Sequence, residues 1–218
     1  MQNSTIPVMG HADGICHTYV DKMADTDLAV KVVTDSKTQY VAVCNALETL
    51  LVHEDIAKDY LPKLKSSLEA KNVLIKGCEK TREIIDVEAA TEEDWKTEYL
   101  DYILSIKIVN NIDEAIAHIN TFGSGHTDCI ITRDNEAAEK FMTLVDSGNV
   151  FLNVSTRFSD GFKYGFGAEV GISTSKLHAR GPVGLEGLLI YKYKLRGNGQ
   201  IVADYAEGRS HFTHKRLI

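Results

Sequence analysis

A chain of 218 residues with 44% apolar side chains is long enough to bury the core of one large domain or two small ones. Its net charge of −7, without any Lys/Arg block, argues against nucleic acid or an anionic membrane surface as a partner. No run approaches the roughly 18 apolar residues of a membrane-spanning helix, and the first residues lack the charged and apolar regions of a secretory signal.

The cysteines are scattered along the chain without a CxxC pair. They are Cys16, Cys44, Cys78 and Cys129. Scattered cysteines in a chain without a secretory signal are typical of a reducing compartment. We therefore expect free thiols and a cytoplasmic location.

Strands and helices are predicted to alternate along most of the chain. Apolar runs and alternation predict strands at 6–10, 15–20, 47–52, 72–77, 102–109, 128–132 and 149–153. Apolar residues at helical spacing predict helices over 26–37, 54–71, 113–122 and 135–145. The N-cap of the first of these helices is predicted to be Asp25 or Asp27. The acidic segment 79–97 predicts a short helix and a surface loop. This order favours an α/β fold with a mainly parallel sheet flanked by helices.

Residues 155–187 interrupt this alternation. They are rich in Gly, Ser, Thr and Arg, and long polar loops inside a domain are usually functional. Beyond them, 190–195 and 200–205 predict two strands joined by 196–199. Because such a hairpin has exposed edges, we expect it to pair with another subunit as an oligomerisation hairpin.

Cys44 is the leading candidate for chemistry, because it stands on a short turn just before the apolar strand 47–52. Open α/β sheets place reactive groups on turns at strand ends. A nucleophilic thiol needs a lowered pKa and donors for an oxyanion, which its own N–H and the Asn45 region can supply. No histidine is adjacent to it in the sequence, and the alternative interpretation is a small buried hydrophobe.

A metal site is not predicted. His11, Cys16 and His17 lie close together in the sequence, but their spacing fits no common zinc pattern and a second ligand pair is missing.

Anion-binding groups follow the last predicted strand of the sheet. Ser155, Thr156 and Arg157 stand at its carboxyl end, and Arg180 adds a further cation; hydroxyls and a guanidinium suit a phosphate or a carboxylate. Glu98, at the start of the strand 102–109, is either a solvated surface charge or an acceptor for a nucleotide's sugar hydroxyl. The glycines of 165–171 have GxGxxxG spacing, which is a weak signal for a dinucleotide loop.

Four segments carry a resemblance to a known family. They are Gly10–His17, Val43–Thr49, Ile112–Asp128 and the run from Asn153 to Gly187. Together they resemble the gamma-glutamyl phosphate reductase family, also called glutamate-5-semialdehyde dehydrogenases, of the aldehyde dehydrogenase superfamily. The resemblance covers essentially the whole chain. It implies an aldehyde-dehydrogenase-like catalytic domain.

The resemblance implies that Cys44 is the nucleophile, with Asn45 beside it as a catalytic residue. The implied reaction is the NADPH-dependent reduction of L-glutamyl 5-phosphate to L-glutamate 5-semialdehyde through a thioester, the second step of proline biosynthesis. Glu98 falls where relatives hold the nicotinamide ribose, although Leu100 replaces their usual aromatic residue. Ser155, Thr156, Arg157 and Arg180 are our assignments to the substrate's phosphate and carboxylate.

The resemblance also implies an incomplete enzyme. We expect 1–38 to be the end of a dinucleotide-binding domain, 39–160 the catalytic domain, and 161–218 a return segment with the oligomerisation hairpin. The chain looks like the C-terminal half of the family's enzymes, without most of the cofactor site. A homo-oligomer and an association with glutamate 5-kinase are further expectations.

Two rival functions remain open. The chain is a non-catalytic oligomerisation or scaffold module, in which Cys44 is buried and inert, or an oxidising aldehyde dehydrogenase. Oxidising relatives carry a deacylating glutamate before the cysteine, and the corresponding segment Met9–Gly14 has none, which speaks against the second rival.

Overall fold

The computed structural model describes residues 4–214. The strands are β1 Cys16–Val20, β2 Leu47–His53, β3 Leu74–Gly77, β4 Glu88–Ala89, β5 Ile103–Val109, β6 Thr127–Ile131, β7 Asn149–Leu152, β8 Glu169–Ser173 and β9 Gly181–Gly184. The α-helices are α1 Thr26–Thr38, α2 Glu54–Glu69, α3 Glu79–Arg82, α4 Ile112–Phe122, α5 Asn135–Leu144 and α6 Val202–Ala206. Single 3₁₀ turns lie at Asp94–Lys96, Thr156–Phe158 and Glu186–Leu188. None of the helices in this described part is long and apolar enough to cross a membrane.

One parallel sheet organises the chain. Its strand order is β4-β3-β5-β2-β1-β6-β7, and every neighbouring pair is parallel. Parallel neighbours need crossover connections, and these put helices on both faces of the sheet. The central strands β1, β2 and β6 are buried along their whole length, as expected for strands covered on both sides. The predicted parallel α/β fold is confirmed.

Alternation along β2 divides the core into two clusters. Leu50 packs with α1 and α2 residues such as Val33 and Leu61 on one face of the sheet. Leu51, one residue later, points to the other face and packs with α4 and α5 residues such as Phe141. Each fully buried side chain of this size contributes about 1.5–3 kcal/mol, so both helix layers are held by apolar burial.

The helix ends follow the sequence signals closely. The Asp25 carboxylate accepts the backbone N–H groups of Asp27 and Leu28, so α1 begins after Asp25. Gly123 closes α4, but its φ of −69° is open to any residue. Glycine is needed there because a Cβ would lie 2.6 Å from the Ile119 carbonyl oxygen.

The strand predicted at 6–10 is wrong, since these residues form irregular backbone. Pro7 has no N–H to give to a ladder, and Gly10 adopts a φ of 153°.

The hairpin predicted at 190–205 is also wrong in its position. The chain divides after Leu188 into two units, and the described part of the second, 189–214, contains the helix α6 and no strand. The antiparallel pair is instead β8 with β9, inside the segment predicted as a long loop. A two-stranded ribbon is stable only against an apolar support, and Ile172 and Val183 in that pair are buried.

The predicted boundaries at 38 and 160 do not coincide with that division. β1 and α1 lie within 1–38, and β1 pairs with both β2 and β6 at the centre of the sheet. The assignment of 1–38 to a dinucleotide-binding domain stays a prediction.

Candidate active site around Cys44

Cys44 lies in the turn that joins α1 to β2. The crossover through α1 returns the chain from the carboxyl end of β1 to the amino end of β2, and Cys44 comes just before that strand. The thiol therefore sits at the amino edge of the parallel sheet, whereas ligand sites of open α/β sheets usually lie at the carboxyl edge.

Two distant segments, 14–16 and 156–159, hold the backbone of the Cys44 turn. Gly14 packs so closely that an added Cβ would lie 2.1 Å from the Cys44 carbonyl oxygen. The Cys16 thiol donates to that oxygen at 3.2 Å. On the next residue, the Thr156 hydroxyl donates to the Asn45 carbonyl at 2.7 Å, and Asn45 Nδ2 donates to the Ser159 carbonyl at 2.8 Å. The turn is thus fixed before any ligand arrives.

Gly14→Ala is expected to lower the free energy of unfolding by about 1–3 kcal/mol, because the new methyl group meets backbone atoms that cannot rotate away. Urea unfolding followed by circular dichroism measures the change. Gly148→Ala is the matched control, since its Cβ would meet nothing closer than 3.5 Å. Equal effects of the two substitutions would contradict the close packing of Gly14 on Cys44.

The predicted anion-binding residues separate into two places. β7 ends at Leu152 and the chain turns back, so that Ser155 and Thr156 reach the Cys44 turn. Both are buried, and their hydroxyls bond inside the protein: Ser155 with Ser36, and Thr156 with Asn45. They support the turn in this structure rather than facing solvent.

The two arginines lie in different surroundings. Arg157 is half-buried, donates from Nε to Gln39 Oε1 at 3.0 Å, and carries the positive charge that acts on Cys44. Arg180 instead pairs with Asp146 at 3.1 Å, in a depression of about 300 Å³ whose lining does not include Cys44.

The charges around Cys44 oppose ionisation of its thiol. Burial raises the pKa of Cys44, the Glu98 and Glu169 carboxylates raise this pKa further, and Arg157 lowers it. The Glu169 carboxylate already has a partner, because it accepts a hydrogen bond from the Gly161 N–H at 2.8 Å. Glu98 is half-buried and makes no hydrogen bond or ion pair to residues 4–214, so its carboxylate is available to a ligand beside the thiol.

Two histidines lie next to the thiol. One ring nitrogen of His11, one of His126 and the Cys44 sulfur all lie within 4.8 Å of one another. Burial, together with the nearby His11, lowers the pKa of His126 to about 4, so this ring is neutral at pH 7. No local spacing in the sequence predicts this cluster. Its one signal is that both histidines fall in segments that carry the family resemblance.

A buried ion pair joins the helix before Cys44 to the strand after it. Lys37 Nζ lies 2.7 Å from Glu48 Oε2, and both side chains are fully buried between α1 and β2. The second oxygen of Glu48 accepts the Leu100 N–H at 3.4 Å, two residues beyond Glu98. Burial raises the pKa of Glu48 to about 7, against the opposing effect of the Lys37 ammonium. The pair therefore links the strand after Cys44 to the segment that carries Glu98.

The arrangement has the parts needed for covalent chemistry on an acyl group. A half-buried thiol can attack a carbonyl carbon, Arg157 can hold an anionic group beside it, and an adjacent imidazole can accept or return the thiol proton.

The chain is similar to known proteins along its whole length. The model of the aldehyde dehydrogenase family matches residues 83–183. The gamma-glutamyl phosphate reductase of Acetivibrio thermocellus is 69% identical over 217 residues, which cover 100% of this chain and 50% of that protein. The crystal structure of gamma-glutamyl phosphate reductase from Thermotoga maritima shows 50% identity and a TM-score of 0.88, over 92% of this chain and 49% of that one.

A more distant structure shares the fold alone. It is the glyceraldehyde-3-phosphate dehydrogenase of Methanocaldococcus jannaschii complexed with NADP, with 19% identity and a TM-score of 0.58, over 76% of this chain and 44% of that one. The fold is therefore aldehyde-dehydrogenase-like. The chain spans about half the length of the curated relatives it matches.

Proposed function

We propose that this chain carries the reactive cysteine of a gamma-glutamyl phosphate reductase. The whole chain is homologous to about half of the length of each such relative. The proposed reaction is the reduction of L-glutamyl 5-phosphate to L-glutamate 5-semialdehyde with release of phosphate. The observation that carries the proposal is the position of Cys44, a half-buried thiol on a turn braced by Gly14 and Thr156.

In the first proposed step, the Cys44 sulfur attacks the acyl carbon of the substrate. The thiol proton passes to a neighbouring imidazole, the bond between the acyl carbon and the phosphate oxygen breaks, and phosphate leaves. A thioester remains on Cys44. Phosphate is a good leaving group, so this step needs an anion holder more than a strong acid, and we assign that role to Arg157.

For the second step, a bound nicotinamide cofactor, proposed to be NADPH, would supply the hydride that reduces the thioester carbon. The carbon–sulfur bond then breaks, the aldehyde leaves, and Cys44 recovers its proton. The half-buried Glu98, without a partner among residues 4–214, fits a nicotinamide ribose because a carboxylate accepts hydrogen bonds from sugar hydroxyls. No carboxylate is proposed as a water-activating base, since hydrolysis would waste the thioester.

The remaining site residues keep proposed roles. Asn45 is proposed to hold the cysteine turn through Ser159, and Ser155 and Thr156 to hold it from the other side. Arg180 is proposed to bind the substrate's carboxylate. For this, the Arg180 guanidinium must first leave its ion pair with Asp146. A homo-oligomer and an association with glutamate 5-kinase are also proposed for the whole enzyme.

A chimera tests this function. This chain, joined to the remaining half of the Acetivibrio thermocellus reductase, is expected to oxidise NADPH only when glutamyl 5-phosphate is present. In reverse, it is expected to reduce NADP only when both glutamate 5-semialdehyde and phosphate are present. A folded chimera without phosphate-dependent turnover, and with Cys44 inert to iodoacetamide, would favour the non-catalytic scaffold instead.

A further inference from the structure

We propose that His11, Cys44 and His126 form a three-ligand site for a divalent cation of the zinc class. Occupancy of this site would bind the Cys44 sulfur as a thiolate and withhold it from electrophiles. The proposal concerns this chain's own residues and does not depend on the reductase reaction.

The first support for the proposal is the chemical identity of the three donor atoms. Two imidazole nitrogens and one sulfur are the ligands that zinc prefers, whereas magnesium and calcium select oxygen. The donor atoms lie within 4.8 Å of one another. In a tetrahedral zinc site with bonds of about 2.0–2.3 Å, neighbouring ligand atoms are roughly 3.3–3.8 Å apart. Closure therefore needs side-chain shifts of about an ångström, which rotation about χ1 of the half-buried Cys44 and His11 side chains can supply while the backbone stays in place.

Each ring has one nitrogen that is not used by the hydrogen bond of the other. His11 Nδ1 lies 2.7 Å from the Ile172 carbonyl oxygen, which can only accept, so in the neutral ring Nδ1 carries the proton and Nε2 keeps its lone pair. His126 Nδ1 lies 2.8 Å from the Thr127 hydroxyl. His126 Nε2 is fully buried and has no hydrogen-bond partner among residues 4–214. A buried polar atom without a partner needs an explanation, and a bound cation supplies one.

The surrounding charge also favours a cation. Glu98 and Glu169 place negative potential on Cys44, which opposes a bare thiolate. The same potential attracts a dication, and a dication next to the sulfur compensates the thiolate charge. Three protein ligands leave one coordination position for water, as in zinc sites that exchange their ligands.

Direct binding is the first test, with the chain as it stands and Zn²⁺ as the only added cation. We expect one equivalent of Zn²⁺ per chain by competition with a chromogenic chelator, and a loss of affinity of at least tenfold in His11→Ala and in Cys44→Ser. His211→Ala, at an exposed histidine of the second unit, is the control and should bind as the original chain does. Equal Zn²⁺ affinity in His11→Ala, Cys44→Ser and the original chain would overturn the proposal, as would no binding at all.

Thiol protection is the second test. One equivalent of Zn²⁺ is expected to slow iodoacetamide labelling of Cys44 at least tenfold, as read by peptide mass spectrometry. EDTA should restore the rate, and Mg²⁺ should have no effect. Labelling of the half-buried Cys78 is the internal control and should not change. Unchanged labelling of Cys44 at saturating Zn²⁺ would overturn the proposal even if a chimera reduces glutamyl 5-phosphate, so the two proposals fail separately.

Discussion

Cys44→Ser is expected to reduce turnover of the chimera at least about 10³-fold, with the fold retained. A serine hydroxyl at this position has no strong base to ionise it, and an ester on serine accepts hydride less readily than a thioester. The measurement is NADPH oxidation at saturating glutamyl 5-phosphate, with circular dichroism as the check on folding.

Cys78→Ser is the matched control for this prediction. Cys78 is also half-buried, but it lies at the carboxyl end of β3, where its sulfur contacts the Thr81 hydroxyl at 3.3 Å. Turnover in this variant is expected to stay within about twofold of the original chimera, because the thiol is remote from the acyl group. Substantial turnover in Cys44→Ser would remove the thioester from the mechanism.

Lys37→Met is expected to destabilise the chain by about 3–5 kcal/mol at pH 8, because it leaves the Glu48 carboxylate buried without its partner. Burial already raises the pKa of Glu48 to about 7, and the Lys37 ammonium opposes this rise. Without the ammonium the pKa rises further, so the folded variant binds a proton that the unfolded chain has released. Such a group stabilises the fold at low pH and loses that effect as pH rises. The destabilisation is therefore smaller at pH 5 than at pH 8.

Urea unfolding of both chains at the two pH values measures this difference. Lys58→Met, at an exposed position of α2, should change stability by less than about 0.5 kcal/mol. The double variant Lys37→Met with Glu48→Leu should recover most of the loss, since no charge then stays buried. A loss that is independent of pH and persists in the double variant would mean that packing of the Lys37 stem, rather than the ion pair, carries the effect.

Local patterns were sufficient to predict most of the parallel sheet. Continuous apolar runs predicted β2 and β6 within one or two residues, because strands covered on both faces need apolar side chains at nearly every position. The Asp25 cap predicted the start of α1, because the carboxylate needs only the next few N–H groups. The first strand of the misplaced hairpin, 190–195, was predicted from a different signal, the alternation of apolar or aromatic side chains with lysines. Alternation indicates only that a strand is possible, and the strand forms where a partner and an apolar support exist.

The sequence by itself determined the α/β class, the turn that carries Cys44 and, through the family resemblance, the chemistry expected of that thiol. Only the tertiary structure decided what surrounds the sulfur. His11 and His126 reach it from loops far apart in the chain, and the Lys37–Glu48 pair is buried between the helix before Cys44 and the strand after it. The crossover through α1 places the thiol at the amino edge of the sheet. The physical reason is that local patterns record which residues face the core, whereas the neighbours of a side chain depend on strand order, which long-range packing sets.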